Sequence, residues 1–133
     1  MIFVDTNVLL DVVTDDPNWG EWSTARMEEA DLLGQLLAND IVYAEFSFNY
    51  ASVEETDEAL EGLGVTIAPT PRDALFLAGK AFRKYRSTDG AKTGVLPDFF
   101  IGAHAAVLGV PLLTRDVRRY RTYFPSLKLI TPD

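Results

Sequence analysis

The sequence predicts an α/β protein, a three-layer α/β/α sandwich built on a five-stranded parallel sheet. Three observations carry this expectation. Short apolar runs rich in β-branched residues recur along the chain, most are followed by a longer stretch of helical periodicity, and turn or capping residues punctuate the junctions. Runs this short and this apolar suit strands buried on both faces, as in a parallel sheet covered by helices. The 133 residues, 47% hydrophobic and 24% charged, fit a single domain over 1–133 with one core.

Ile2 to Val4 is the first strand, stopped by Asp5-Thr6-Asn7 and followed by a helix through Val8 to Val13. Asp15, Asp16 and Pro17 break the chain before a helix over most of Trp19 to Leu33. Leu36 to Ala38 is the second strand, and Asn39 or Asp40 caps a helix that continues through Ile41 to Ala51. Ser52 and Glu55, three apart, form a capping box for a helix to about Leu63. Val65 to Ala68 is the third strand. Thr70 and Pro71 then open a helix to about Tyr85, and residues 87 to 96 read as a flexible loop. Pro97 and Asp98 start a strongly apolar helix that ends near Leu108, with Gly109 as its stop. Val110 to Thr114 is the fourth strand, Arg115 to Tyr123 a short helix or turn, and Lys128 to Ile130 the fifth strand.

The chain has no cysteine, which excludes a disulfide framework and a thiolate metal site. No basic stretch leads into a long apolar run at the N-terminus, and no apolar segment approaches the roughly 20 residues that span a bilayer. A cytoplasmic protein with no membrane partner is expected. The net charge of −8 argues against a nucleic-acid partner until its distribution is considered. Residues 1 to 71 hold 15 acids and one base, Arg26, whereas residues 72 to 132 hold 11 bases and 4 acids. The basic half could line one groove; Arg86, Lys92, Arg115, Arg118 and Arg119 are the candidate nucleic-acid contacts.

In such sheets the residues just past the strand C-termini gather along one rim, where ligands bind. Asp5 follows the first strand, Asp116 follows the fourth, and Asp98 opens the apolar helix between the third and fourth strands. Each can be read as an ordinary helix cap. Glu45 is different, because it lies inside its helix with no orphan amide to cap, beside Ile41, Val42, Phe48 and Asn49. Either that helix turns Glu45 to water, or a cation or hydrogen bonds offset its desolvation. If the four acids converge, their mutual repulsion calls for a cation among them. Oxygen ligands, no cysteine and a single histidine point to Mg²⁺ or Mn²⁺. His104, six residues after Asp98, is not counted as a ligand. A hard ion on an acidic rim can activate water and neutralise charge on a phosphodiester, while the basic half positions the backbone.

Ile-Phe-Val-Asp-Thr-Asn at 2–7, Val-Tyr-Ala-Glu at 42–45, Leu-Pro-Asp-Phe-Phe-Ile-Gly-Ala-His-Ala at 96–105 and Leu-Leu-Thr-Arg-Asp at 112–116 resemble the PIN domains of VapC-type toxins. The resemblance spans essentially the whole chain. It implies a five-stranded parallel sheet and an Mg²⁺- or Mn²⁺-dependent ribonuclease that leaves a 5′-phosphate and a 3′-hydroxyl. By the same resemblance Asp5, Glu45, Asp98 and Asp116 are the catalytic and metal-binding acids, with Thr6, Asn7 and Thr114 as polar supports. It also implies a homodimer and a VapB-like antitoxin that inserts a segment into the site. One departure stands out: many members carry a further acid where this chain has Arg118, which speaks against a second metal held entirely by protein.

Two other readings compete. A haloacid-dehalogenase-like phosphotransferase would use Asp5 as nucleophile, but it would want a second aspartate where Asn7 stands. A non-enzymatic interaction domain would keep the fold without the metal.

Overall fold

The computed structural model describes residues 1–88 and 96–132. One all-parallel sheet contains β1 (Ile2–Val4), β2 (Leu36–Asn39), β3 (Val65–Ala68), β4 (Leu112–Leu113) and β5 (Leu129–Ile130), in the order β3-β2-β1-β4-β5. The flanking helices are α1 (Thr6–Val13), α2 (Gly20–Leu33), α3 (Asp40–Phe46), α4 (Val53–Gly62), α5 (Arg72–Thr88), α6 (Leu96–Leu108) and α7 (Arg118–Tyr123). This is the expected α/β/α sandwich. β1 is central because all three of its side chains are buried, and Phe3 stands in register with Leu37 on one side and Leu112 on the other.

The chain steps outward from β1 to β2 and β3, then returns to place β4 and β5 on the other side of β1. The strand order therefore reverses between β1 and β4. A crevice opens past the C-termini of strands at such a reversal, because their connections leave in opposite directions. Asp5 follows β1 and Thr114 follows β4, so the topology alone brings these two residues to one crevice.

The differences from the expected elements have local causes. α3 gives way to a 3₁₀ turn over Ser47–Asn49 instead of running to Ala51. There the Ser47 hydroxyl donates to the Ala44 carbonyl at 2.7 Å and the Asn49 amide to the Phe46 carbonyl at 3.3 Å, so side chains take carbonyls a longer helix would use. α5 runs on past Tyr85 because Ser87 and Thr88 donate to the Lys84 carbonyl at 2.8 and 3.0 Å. Ser87, Thr88 and Leu96 of the expected loop are thus helical. The remainder of that loop, with Lys92, lies outside the described residues. β4 is shorter than expected: Pro111 has no N–H to give a ladder, and Val110 N turns back to Ala105 O at 3.2 Å.

α6 is apolar almost all round because it is buried between the sheet and its neighbours; Phe99, Ile101, Ala103 and Ala105 are fully enclosed. Its His104 is structural. Asn39 caps α3 by accepting from Ile41 N and Val42 N at 3.1 Å, which leaves its amide to donate to His104 Nδ1 at 3.2 Å. Burial pushes the His104 pKa down, so the ring is the neutral acceptor this bond requires. The bond ties α6 to the start of α3, the helix that carries Glu45.

Gly102 is required by a close approach. A Cβ there would stand 2.6 Å from the Phe124 ring and 3.0 Å from that of Tyr120. Gly102→Ala is expected to destabilise the fold by about 1 to 3 kcal/mol, the usual cost of overpacking. That should appear as a clear fall in the urea midpoint, and an unchanged midpoint would contradict the packing described.

Candidate functional site

Asp5 is the hub of the β1–β4 crevice. Its backbone N–H pairs with Leu113 O at 2.9 Å, and its carboxylate points into the interior with only 3% exposure. Oδ1 accepts from Thr6 N at 2.7 Å, the helix cap that the sequence allows. Oδ2 accepts from Thr114 Oγ1 at 2.8 Å, Tyr120 Oη at 2.9 Å and Asn7 Nδ2 at 3.4 Å. Capping therefore accounts for one oxygen, and the other collects three side-chain donors from two separate parts of the chain.

The other acids join this hub through short links. Thr6 Oγ1 donates to Glu45 Oε1 at 2.7 Å, so Glu45 is half-buried and turned toward Asp5 rather than free in water. It stands in the last turn of the shortened α3, not mid-helix as expected. Thr114 Oγ1 spends its one proton on Asp5 and accepts from Asp116 N at 3.0 Å, which folds the turn after β4 back over the crevice. Asp98, in the first turn of α6, forms a hydrogen-bonded ion pair with Arg119. The same guanidinium nitrogen lies 4.0 Å from Asp116 Oδ2. The four acids thus belong to one connected cluster drawn from β1, α3, α6 and the turn after β4.

Electrostatics follow from this crowding. Burial, reinforced by Glu45, pushes the Asp5 pKa up to about 6 even though three donors pull it down. Burial and the charges of Asp5 and Asp116 push Asp98 up to about 7, with Arg119 offsetting only part of the shift. Burial and the Asp5 charge hold the Tyr120 phenol well above its usual range, so it stays a donor. The donor chemistry suits a hard divalent cation: oxygen atoms only, and a buried Asn7 Oδ1 that has no hydrogen-bond partner. The spacing does not yet make a cage. Among the described residues no three acids or histidines are gathered closely enough to hold one ion.

The PIN domain family model matches residues 2–125. The chain belongs to the PIN-domain family. Its fold is similar to that of several solved complexes. One is VapBC2 of Rickettsia felis bound to a DNA fragment from its promoter, 18% identical, with a TM-score of 0.74 and all of both chains covered. Another is VapBC-1 of nontypeable Haemophilus influenzae, 20% identical, with a TM-score of 0.71 and 98% of each chain covered. A third is FitAcB of Neisseria gonorrhoeae, 22% identical, with a TM-score of 0.70, covering 99% of this chain and 98% of that one. The comparison with curated proteins returned no match. At these identities the structural likeness is one of fold.

In this PIN domain the candidate RNA-binding cations part company. Arg86 and Arg118 are exposed. Arg119 is engaged by Asp98. Arg115 has a structural partner: Nε and Nη2 grip Asp11 at 2.7 and 2.9 Å, and Cζ lies 5.6 Å from the centre of the Trp19 ring. Asp11 is 2% exposed and also accepts from Ser23 Oγ at 2.7 Å. This partly buried pair fastens the turn after β4 to α1 and α2. Sequence reasoning missed Asp11 and Tyr120. Asp11 looks like an exposed helix acid, and Tyr120 like one more residue in a basic run; neither has a local signal of its long-range partner.

The raised carboxyl pKa values predict how the metal-free PIN domain responds to pH. A carboxyl whose folded pKa exceeds its unfolded value stabilises the fold when protonated, and that contribution is lost as pH rises through the folded value. For Asp98 and Asp5 the loss spans pH values around 7 and 6. With EDTA present, lowering the pH from 8 to 6.5 should therefore raise Tm by about 2 to 4 °C. The figure is modest because the Asp98 side chain is 27% exposed and paired with Arg119. Below about 6.5 the depressed His104 begins to act in the opposite sense. Asp98→Asn should flatten the rise, and a Tm that falls over this window would contradict the assignment.

Proposed function

We propose that this PIN domain is the toxin component of a type II toxin–antitoxin pair, an endoribonuclease that hydrolyses RNA phosphodiesters with Mg²⁺ or Mn²⁺ held by Asp5, Glu45, Asp98 and Asp116. The observation that carries this reading is the meeting of four acids, from four separate segments, in one network at the sheet reversal. A bound divalent ion would supply an activated water and a counter-charge for the phosphate.

The chain's own residues do the rest. Thr114, Tyr120 and Thr6 N orient Asp5, so its carboxylate is fixed before any ligand arrives. Thr6 does the same for Glu45. Asn7 anchors through its amide and leaves a buried carbonyl oxygen free to accept from a water or a ribose hydroxyl. Arg86 and Arg118 are the exposed candidates for phosphate contact.

The solved complexes with the same fold are VapBC and FitAcB complexes, which supports a VapB-like antitoxin as partner. A homodimer and a cytoplasmic location complete the reading. No helix among the described residues is long and apolar enough to cross a membrane. Phe48, Leu32 and Leu33 are exposed at 86%, 88% and 77%, apolar area that a protein partner could cover. The decisive experiment is RNA cleavage by the wild type and by Asp5→Asn, each with Mg²⁺, with Mn²⁺ and with EDTA. Cleavage that needs neither the ion nor Asp5 would reject the reading.

A further inference from the structure

We propose that Arg119 is a built-in counter-cation of the acidic site: in the metal-free protein its guanidinium holds Asp98 beside Asp116, and it must let go before a divalent ion can bind there. This rests on the nuclease reading for the nature of the ion.

One guanidinium nitrogen hydrogen-bonds Asp98 Oδ2 and stands 4.0 Å from Asp116 Oδ2. Hard ions need carboxylate oxygens at roughly 2.0 to 2.6 Å from a common centre. A guanidinium nitrogen bonded to one donor and 4.0 Å from a second takes up a lone pair of Asp98 and the space such a centre would use. Its positive charge would also repel a divalent ion a few ångströms away. With Arg119 in this position, no three acids or histidines among the described residues are close enough to hold one ion. The acids are therefore satisfied as an ion pair rather than as a cage.

Arg119 can give way without dismantling the site. Its neighbour Tyr120 is fully buried and bonded to Asp5, so the backbone of α7 is anchored independently of the Arg119 side chain. That side chain is 23% exposed, and its Cζ lies 5.9 Å from the centre of the Tyr85 ring. A rotamer change moves the guanidinium along this aromatic wall toward water while α7 stays in place.

Coupling between two ligands of one site is reciprocal. Whatever Arg119 adds to the stability of the metal-free protein is subtracted from its affinity for the ion. Calorimetric titration of the full chain with Mn²⁺ should show Arg119→Gln binding about tenfold more tightly than wild type, within the usual range of such couplings. The same variant should melt at a lower temperature in EDTA. Arg119→Lys keeps a cation but loses the planar fork, and should fall between the two. A measurement on the wild type guards against a misfolded variant. The Arg119 Nη–H signals in ¹⁵N-resolved NMR at low temperature should be protected from solvent exchange in EDTA, because Nη1 donates to Asp98, and lose that protection when Mg²⁺ is added. Equal Mn²⁺ affinity in wild type and Arg119→Gln, weaker binding by the variant, or an Arg119 signal indifferent to Mg²⁺ would each overturn the proposal while leaving the nuclease reading intact. No Mn²⁺ binding by either protein would overturn both.

Discussion

Asp5→Asn is expected to abolish metal-dependent RNA cleavage while leaving the fold intact. The carboxylate is 3% exposed, and burial already pushes its pKa up to about 6, so the interior tolerates a neutral group at this position. Three of its four donors come from rotatable groups: the hydroxyls of Thr114 and Tyr120 and the amide of Asn7. The new amide offers two N–H groups and one oxygen to these partners, so the hydroxyl protons of Thr114 and Tyr120 must find other acceptors and the fold survives at a cost of about 1 kcal/mol. The larger loss falls on chemistry. Removing an outer partner of a metal ligand typically costs about 10- to 100-fold in affinity or activity, and removing the charged ligand itself should cost more than about 100-fold. Cleavage rates at saturating Mn²⁺, read beside thermal melts in EDTA, separate the two effects. A variant that cleaves at the wild-type rate would leave Asp5 with a structural task only.

Arg115→Ala should produce the largest loss of stability of the substitutions considered. The change strands Asp11, a carboxylate 2% exposed, with Ser23 Oγ as its one remaining side-chain donor. Breaking a buried pair from one side costs about 3 to 5 kcal/mol, and about 3 kcal/mol or less is expected here because the Arg115 side chain is 31% exposed and water reaches part of the gap. For a chain of this size that is a fall in Tm of up to about 10 °C. Asp11→Asn combined with Arg115→Met should recover most of the loss, since it removes both charges and keeps much of the volume. Urea denaturation of the two variants tests this directly; a loss below about 1 kcal/mol in Arg115→Ala would mean that the pair is not held as described. The single variant is expected to leave the salt slope of RNA binding nearly unchanged, because the guanidinium is engaged by Asp11.

Much of the fold was legible because its signals are local. The strand β1 with its Asp5 stop, the Ser52 cap of α4 and the Gly109 end of α6 each depend on a few adjacent residues. The Ser52 hydroxyl indeed accepts from Glu55 N at 3.1 Å, and Gly109 has a φ of 68°. Where expectation and structure differ, as at the end of α3 or the start of α7, side chains and backbone compete for the same carbonyls and amides over one turn. Such margins are set by small energies that periodicity does not encode.

The candidate site divides along the same line. Sequence alone determined the kind of chemistry available, because acids placed just after strands, an acid within a helix and the absence of cysteine limit the donors to oxygen. It also determined that the acidic and basic halves of the chain are separate in sequence. Only the tertiary structure decided what each charge is used for: Thr6 joins Glu45 to Asp5, Tyr120 reaches Asp5, Arg115 closes on Asp11, and Arg119 lies against Asp98. Charge is a property of a residue, but its partner is a property of packing. A guanidinium reaches one or two carboxylates within a few ångströms, and which ones those are depends on how helices far apart in sequence come to rest on one sheet.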